Sequence, residues 1–211
     1  MNARHIAREL ALLSISQTWL NKREIKKSTV DELLEQVVRF LTSEVQEYLK
    51  KAGENIEKAN DRLFESDLLD KDRYTIRNLL EEGIKETQKS IELMGSALEW
   101  ALIATLSKND EIKEFCLLLI RNFFNNQKEI DRIIEENLTD WTLDRLNSID
   151  LNILRLSVGE MFYNFEVPLI VTIDEAVELA KKYGTIDSGK FVNGVLKKIL
   201  PLARKKRGEQ S

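Results

Sequence analysis

An all-α fold is the expectation for this chain, and three observations carry it. Charged residues make up 32% of the sequence, with only two prolines and eight glycines to interrupt it, a composition that favours helices. Apolar residues recur at intervals of three and four along most of the length, the period of one helix face. Alternating runs long enough for strands are absent. The stretch "VPLIVTI" at 167–173 is β-branched but short, and it lies between helical patterns. With 211 residues the chain has room for one domain, or two small ones, around a real core.

The elements follow in order. From Arg4 to Leu20, Ala7, Leu10, Ala11, Ser14, Ile15 and Trp19 form one stripe. A second helix opens with Thr29 and Glu32 spaced as a capping box. It carries Leu34, Val37, Leu41, Val45 and Tyr48, and its pattern loosens after Gly53. From about Tyr74 to Leu106 a long stripe of Leu80, Ile84, Thr87, Ile91, Met94, Leu98, Leu102 and Thr105 predicts a helix on the order of 50 Å long, with these residues inward. A further helix near Asp110 turns Ile112, Phe115, Cys116, Leu119, Ile120 and Phe123 inward, and a shorter one carries Ile130, Ile133 and Ile134. "SIDLNILRLSVGEMFYNFEVP" follows, with Ser148 as the expected cap and Pro168 as the stop. Thr172 and Glu175 have capping-box spacing, and Gly184 ends that helix. The last helix starts at Asp187–Ser188 and turns Phe191, Val192, Val195, Leu196, Ile199 and Leu200 to one side.

Several function classes drop out. The net charge of −4 restricts any nucleic-acid site to a local basic patch. One cysteine, Cys116, excludes an internal disulfide and points to a reducing compartment. No apolar run has the roughly 18 residues of a membrane span, and no signal peptide is expected. With one histidine, His5, and one cysteine far from it, neither a metal site nor a nucleophilic triad is expected. "GTIDSGK" lacks the spacing of a phosphate loop. The expectation is a cytoplasmic protein that is not an enzyme and has no cofactor.

Two helix starts depart from an ordinary amphipathic pattern. Arg4, His5 and Arg8 crowd the first, where cations oppose the helix dipole. They read either as a solvated terminus or as a phosphate grip. At the second, Lys190 suits a phosphate, Phe191 an unpaired base and Asn193 a base edge. Alternatively Phe191 is core, and Asn193 with Gly194 only permits close helix packing. The final "ARKKRGEQS" at 203–211 reads as a basic tail.

The segment from Ser148 to Ile199 resembles the C-terminal half of the NusB family of bacterial transcription antitermination factors. The resemblance rests on "D-x-x-I-L-R-L" at Asp150–Leu156, Glu160, Pro168, "DEAVELAKKYG" and "D-S-x-K-F-V-N-G-V-L", in that order. "ARELALLSISQ" is similar to the family's opening. The resemblance covers roughly 3–20 and 110–200. It implies two small helical bundles packed together, the N-terminal one enlarged by inserted helices over about 24–107. It also implies binding of boxA RNA of ribosomal RNA operons together with NusE, a small-subunit ribosomal protein, in a complex that joins RNA polymerase. Carried over on matching motif positions, Arg4, His5 and Arg8, with Asp187, Lys190, Phe191 and Asn193, would face RNA, and Asp150 would face NusE. Gly194 would let its helix approach a neighbour. The sequence departs from the family at Ser16 and Gly159, where tyrosines are usual, and Ile6 makes the N-terminal arm less basic. A protein-only adaptor that kept the fold without RNA binding is the alternative, and a homodimer stays open.

Overall fold

The computed structural model describes residues 3–20, 30–68, 73–139 and 141–208. These hold the helices α1 (Ala3–Leu20), α2 (Val30–Leu68), α3 (Arg73–Leu106), α4 (Asp110–Asn137), α5 (Ser148–Tyr163), α6 (Leu169–Tyr183) and α7 (Ser188–Arg207), with a 3-10 turn at Leu143–Arg145. No strand occurs among the described residues, and no helix there is long and apolar enough to cross a membrane. The chain divides into two compact units, 1–37 with 107–211, and 38–106. Thr29 of the expected capping box, the side chain of Trp19 and residues 209–211 lie outside what is described.

The first unit is built around α5, which packs against α1, α4, α6 and α7. Every residue from Asn152 to Phe162 is buried, the signature of a helix covered on all sides. Gly159 faces α4, where a Cβ would make ordinary van der Waals contact, 3.4 Å from Ile130 Cδ1 and 3.8 Å from the backbone of Phe123. The two helices expected between 110 and 138 are the two halves of α4, which meet at a kink where Asn126 leaves the helical conformation (φ −124°, ψ 16°) and its amide donates back to the Asn122 carbonyl.

Caps differ from the sequence reading. Asn147, not Ser148, caps α5, accepting from the Ile149 N–H at 3.0 Å. Pro168 is the residue before α6, so Thr172 sits inside the helix with its hydroxyl buried, and the Thr172–Glu175 capping box does not form. Gly184 ends α6 with an extended backbone (φ −93°, ψ −162°) rather than a left-handed one. Its requirement is space: a Cβ would lie 2.4 Å from that of Ser188. The expected basic tail is helical through Arg207. α7 runs through Pro201 and ends on Gly208 (φ 71°), whose N–H reaches the carbonyls of Arg204 and Lys205. Gly194 is exposed, and nothing lies within 4 Å of where its Cβ would be, so it makes no close helix contact. Gly189 does, at 3.2 Å from Lys181 Cγ.

In the second unit α2 continues past Gly53, and α3 runs antiparallel to it. The Ser90 hydroxyl donates to the Ala52 carbonyl at 2.9 Å, and Arg62 pairs with Glu82 at 3.2 Å. A Cβ on Gly83 would meet the Ala59 carbonyl at 3.5 Å. The seam is therefore made of small residues at seven-residue intervals: Ala52 and Ala59 against Gly83, Ser90 and Ala97, all buried. This corrects the expected inward stripe. Leu80, Ile84, Ile91, Leu98 and Leu102 are 39–73% exposed, because the row of small side chains lets the backbones approach closely and the bulky row, one step round, is turned outward.

Filling that seam is the sharpest test of it. Ser90→Leu should destabilise the chain by about 1–3 kcal/mol through overpacking. Ser90→Ala loses only a hydrogen bond, at about 0.5–1.5 kcal/mol. Urea unfolding followed by circular dichroism measures both.

Candidate nucleic-acid interface

The outer end of α1 is held by charges buried against α5 and α6. Arg8 is only 3% exposed and Glu160 1%. The Arg8 Nε donates to Glu160 Oε2 at 2.9 Å and its Nη2 to Oε1 at 2.7 Å, a two-point fork. Its Nη1 donates to the Arg4 carbonyl at 3.2 Å and lies 3.8 Å from Glu175. With all three nitrogens engaged in the interior, Arg8 is not the solvent-facing phosphate grip read from sequence. It is a brace that positions the residues around it.

His5 Nδ1 lies 2.6 Å from Glu175 Oε2. Glu9 is wholly buried and accepts from Lys182 Nζ and Tyr183 Oη. Arg4 lies over the Phe115 ring, 5.3 Å from its centroid, and borders a shallow cleft with Glu111, Glu114 and Leu118. Glu9, Glu160 and Glu175 escaped the sequence reading as structural acids. For Glu160 a signal was present, a lone carboxylate in an otherwise apolar run.

The start of α7 packs on the same helix α6. Ser188 Oγ accepts from the Thr185 N–H at 2.8 Å, and the Ser188 N–H donates to the Thr185 carbonyl at 3.1 Å, closing the turn. Asp187 is exposed and makes no side-chain cap bond. Lys190 is exposed, Phe191 and Asn193 are half-buried, and Ile186 is fully exposed. Lys181 and Lys182 occupy the last turn of α6, and the stem of Lys181 touches Gly189. Lys181, paired on the surface with Glu178, thus joins a corner that sequence alone did not assemble. α6 is the wall on which the starts of α1 and α7 both rest.

Asp150 stands apart from that corner. α1 and α5 run antiparallel, with Arg8 on Glu160 and Ser16 accepting from Asn152. Asp150 in the first turn of α5 is therefore about 15 Å along the helix from Glu160. It is buried, and among the described residues its Oδ1 has no hydrogen-bond partner, a costly state for a carboxylate.

The remaining polar clusters are structural. Arg155 forks onto Asp131 at 2.7 and 3.0 Å. Arg207, from the expected tail, donates to the carbonyls of Met161, Asn164 and Val167 and so caps the end of α5. The hydrogen bond from Tyr163 holds the Glu129 carboxyl below its usual value, with Lys206 assisting. Burial, then the same bond, pushes the Tyr163 hydroxyl up. Burial also pushes up the Cys116 thiol, which keeps it unreactive. Among the described residues no group of His, Cys, Asp or Glu is arranged to hold a metal.

The sequence profile of the NusB family matches residues 87–201, more than half of the chain and all of α4 to α6. The chain belongs to the NusB family. Its fold is an all-α NusB-like one. The match begins inside α3, earlier than the resemblance over 110–200. Transcription antitermination protein NusB of Microcystis aeruginosa is 37% identical over 93% of this chain and 90% of its own. That of Trichormus variabilis is 38% identical over 92% of each. These alignments run for 196 and 195 residues, so the long α2–α3 segment has a counterpart in those NusB proteins. Among solved structures, T. maritima NusB is 32% identical, covering 73% of this chain and 90% of that one with a TM-score of 0.43.

The brace predicts a stability effect without an RNA effect of its own. Arg8→Ala leaves Glu160 as an unpaired buried charge and should cost about 3–5 kcal/mol, measured by chemical unfolding. An exposed Arg8 would cost less than about 1 kcal/mol.

Proposed function

We propose that this chain acts in transcription antitermination by binding boxA RNA of ribosomal RNA operons together with NusE, in a complex that joins RNA polymerase. Family membership carries the reading, and the corner on α6 supports it. Lys190, exposed at the start of α7, suits phosphate. Phe191 offers a face for an unpaired base, Asn193 an amide for a base edge, and Asp187 an acceptor for base amines or 2′-hydroxyls. Arg4 and His5 form the second edge, and Arg8 holds that edge in place from within. The overall charge of −4 means that binding draws on this local patch rather than on the whole molecule.

Fluorescence anisotropy with labelled boxA and a scrambled RNA, with and without NusE, tests the reading. Binding should favour boxA, tighten with NusE and weaken with salt. Lys190→Ala should lower affinity and reduce the salt slope by about one charge while leaving the melting temperature unchanged. Equal binding to both RNAs with no gain from NusE contradicts the assignment.

Asp150 is the proposed NusE contact, since a buried carboxylate oxygen without a partner suits a donor brought by a basic protein. Asp150→Asn should weaken NusE binding in calorimetry. It should not lower stability in chemical unfolding, because it removes the charge of a buried carboxylate whose Oδ1 is unpartnered.

A further inference from the structure

Among the described α-helices, α7 alone carries no acidic residue. Two of its cations are turned to the unit itself. Arg207 donates to the carbonyls at the end of α5, and Lys206 lies over the Tyr163 ring and beside Glu129. The other five share one stripe. Counted from Lys190 at about 100° per residue, Lys197 falls at −20°, Arg204 at −40°, Lys205 at 60° and Lys198 at 80°. The buried Val192, Val195, Leu196, Ile199 and Ala203 fall between about 140° and 240° on the same count. The stripe is therefore centred opposite the buried face.

Cations in a last turn complement the helix dipole, which accounts for Arg204 and Lys205. It does not account for Lys190, which opposes the dipole from the first turn, or for Lys197 in mid-helix. Lys190, Lys197 and Lys205 are exposed, and none of them pairs with an acid among the described residues. Lys198 donates to the Thr139 hydroxyl. On neighbouring helices Glu129 is paired with Lys206 and Glu178 with Lys181. Asp187, the nearest acid along the chain, precedes the helix and belongs to the corner already described. Between the cations stand Gly194 and Pro201, both exposed, and a Cβ on Gly194 would meet nothing within 4 Å. The stripe is thus low in relief, and it extends about 22 Å from Lys190 to Lys205.

We propose that this stripe is a second RNA contact, a track for single-stranded RNA adjoining boxA that holds phosphates without regard to base. The inference rests on the boxA reading for where the track begins, at Lys190, while its charge is a property of α7 alone. Charge complementarity selects a polyanion, since five cations share the stripe with no acid among them. Continuity selects RNA, because a strand that meets Lys190 at the start of α7 has Lys197 and Lys205 along the same line. An acidic protein would need large apolar or aromatic anchors at the centre of the contact. The centre here is Gly194 and Pro201, and the exposed Leu202 lies off the stripe at about 120°. Lysines without base-reading neighbours give affinity that depends on salt and not on sequence.

Fluorescence anisotropy of the full chain with NusE tests it, using boxA RNA alone and boxA extended on either side by roughly eight uridines or cytidines. One of the two sides should raise affinity about tenfold at low salt, equally for both bases, and steepen the salt slope by about 1.4, the value of two phosphates on a single strand. Lys197→Ala with Lys205→Ala should abolish that gain and leave affinity for boxA alone and the melting temperature unchanged. Lys58→Ala with Lys85→Ala, the same loss of charge at exposed sites of the other unit, should keep it. Oligouridine without NusE is the probe that does not depend on boxA. Wild type should bind it weakly and the Lys197, Lys205 double variant more weakly still, whether or not boxA is preferred to scrambled RNA. The proposal is overturned if neither extension adds affinity, if the gain survives that double variant, if oligouridine binds both proteins equally, or if oligoglutamate displaces the extended RNA as readily as oligouridine does.

Discussion

The buried fork between Arg8 and Glu160 is the constraint on which the first unit depends. Two opposite charges taken out of water are costly, and they are tolerated only when hydrogen bonds satisfy them. Here Nε and Nη2 meet both carboxylate oxygens, and Nη1 finds the Arg4 carbonyl. That geometry leaves α1 no freedom to slide or rotate on α5, since a shift of one residue would strand two charges in the interior. Apolar packing through Ala7, Leu10 and Ala11 supplies attraction without such a register. The fork supplies the register.

From that register the exposed chemistry follows. With Arg8 fixed, Arg4 falls one turn outward over Phe115, His5 reaches Glu175, and Glu9 ties α1 to Lys182 and Tyr183. α6 is thereby held between α1 and the start of α7, where Gly189 and Gly184 permit close contact. A protein of net negative charge can attract RNA only where cations are gathered and acids are turned inward or paired. The buried positions of Glu9 and Glu160 do the second part for two acids only, since Glu111, Glu114 and Asp187 stay exposed beside the helix starts.

The long hairpin obeys a different rule. Its two helices share a narrow seam of alanine, glycine and serine, which allows close approach but buries little area. The bulky apolar residues are consequently left over. In the first unit most large side chains are buried; in the second Leu41, Leu79 and Ile103 are buried while Ile84, Ile91 and Leu98 face out.

Helical periodicity and composition were enough to establish an all-α chain and the approximate extents of α1, α3, α5, α6 and α7, because the 3.6-residue period is local and repeats often enough to be read. Motif order from Asp150 to Leu196 was enough to indicate the family. What sequence could not decide was which of two rows on α3 faces inward, since both recur every seven residues and only the partner helix chooses between Ser90 and Ile91. Nor could it decide that Arg8 is a brace while Lys190 is exposed. Both are cations near a helix start, and the difference lies in a carboxylate 152 positions away. Gly194 and Gly189 likewise sit five apart in one motif, and only the path of α6 determines that the second needs its missing side chain. Pairings between distant segments are set by tertiary geometry, because a buried charge is identified by its partner and not by its neighbours in the chain.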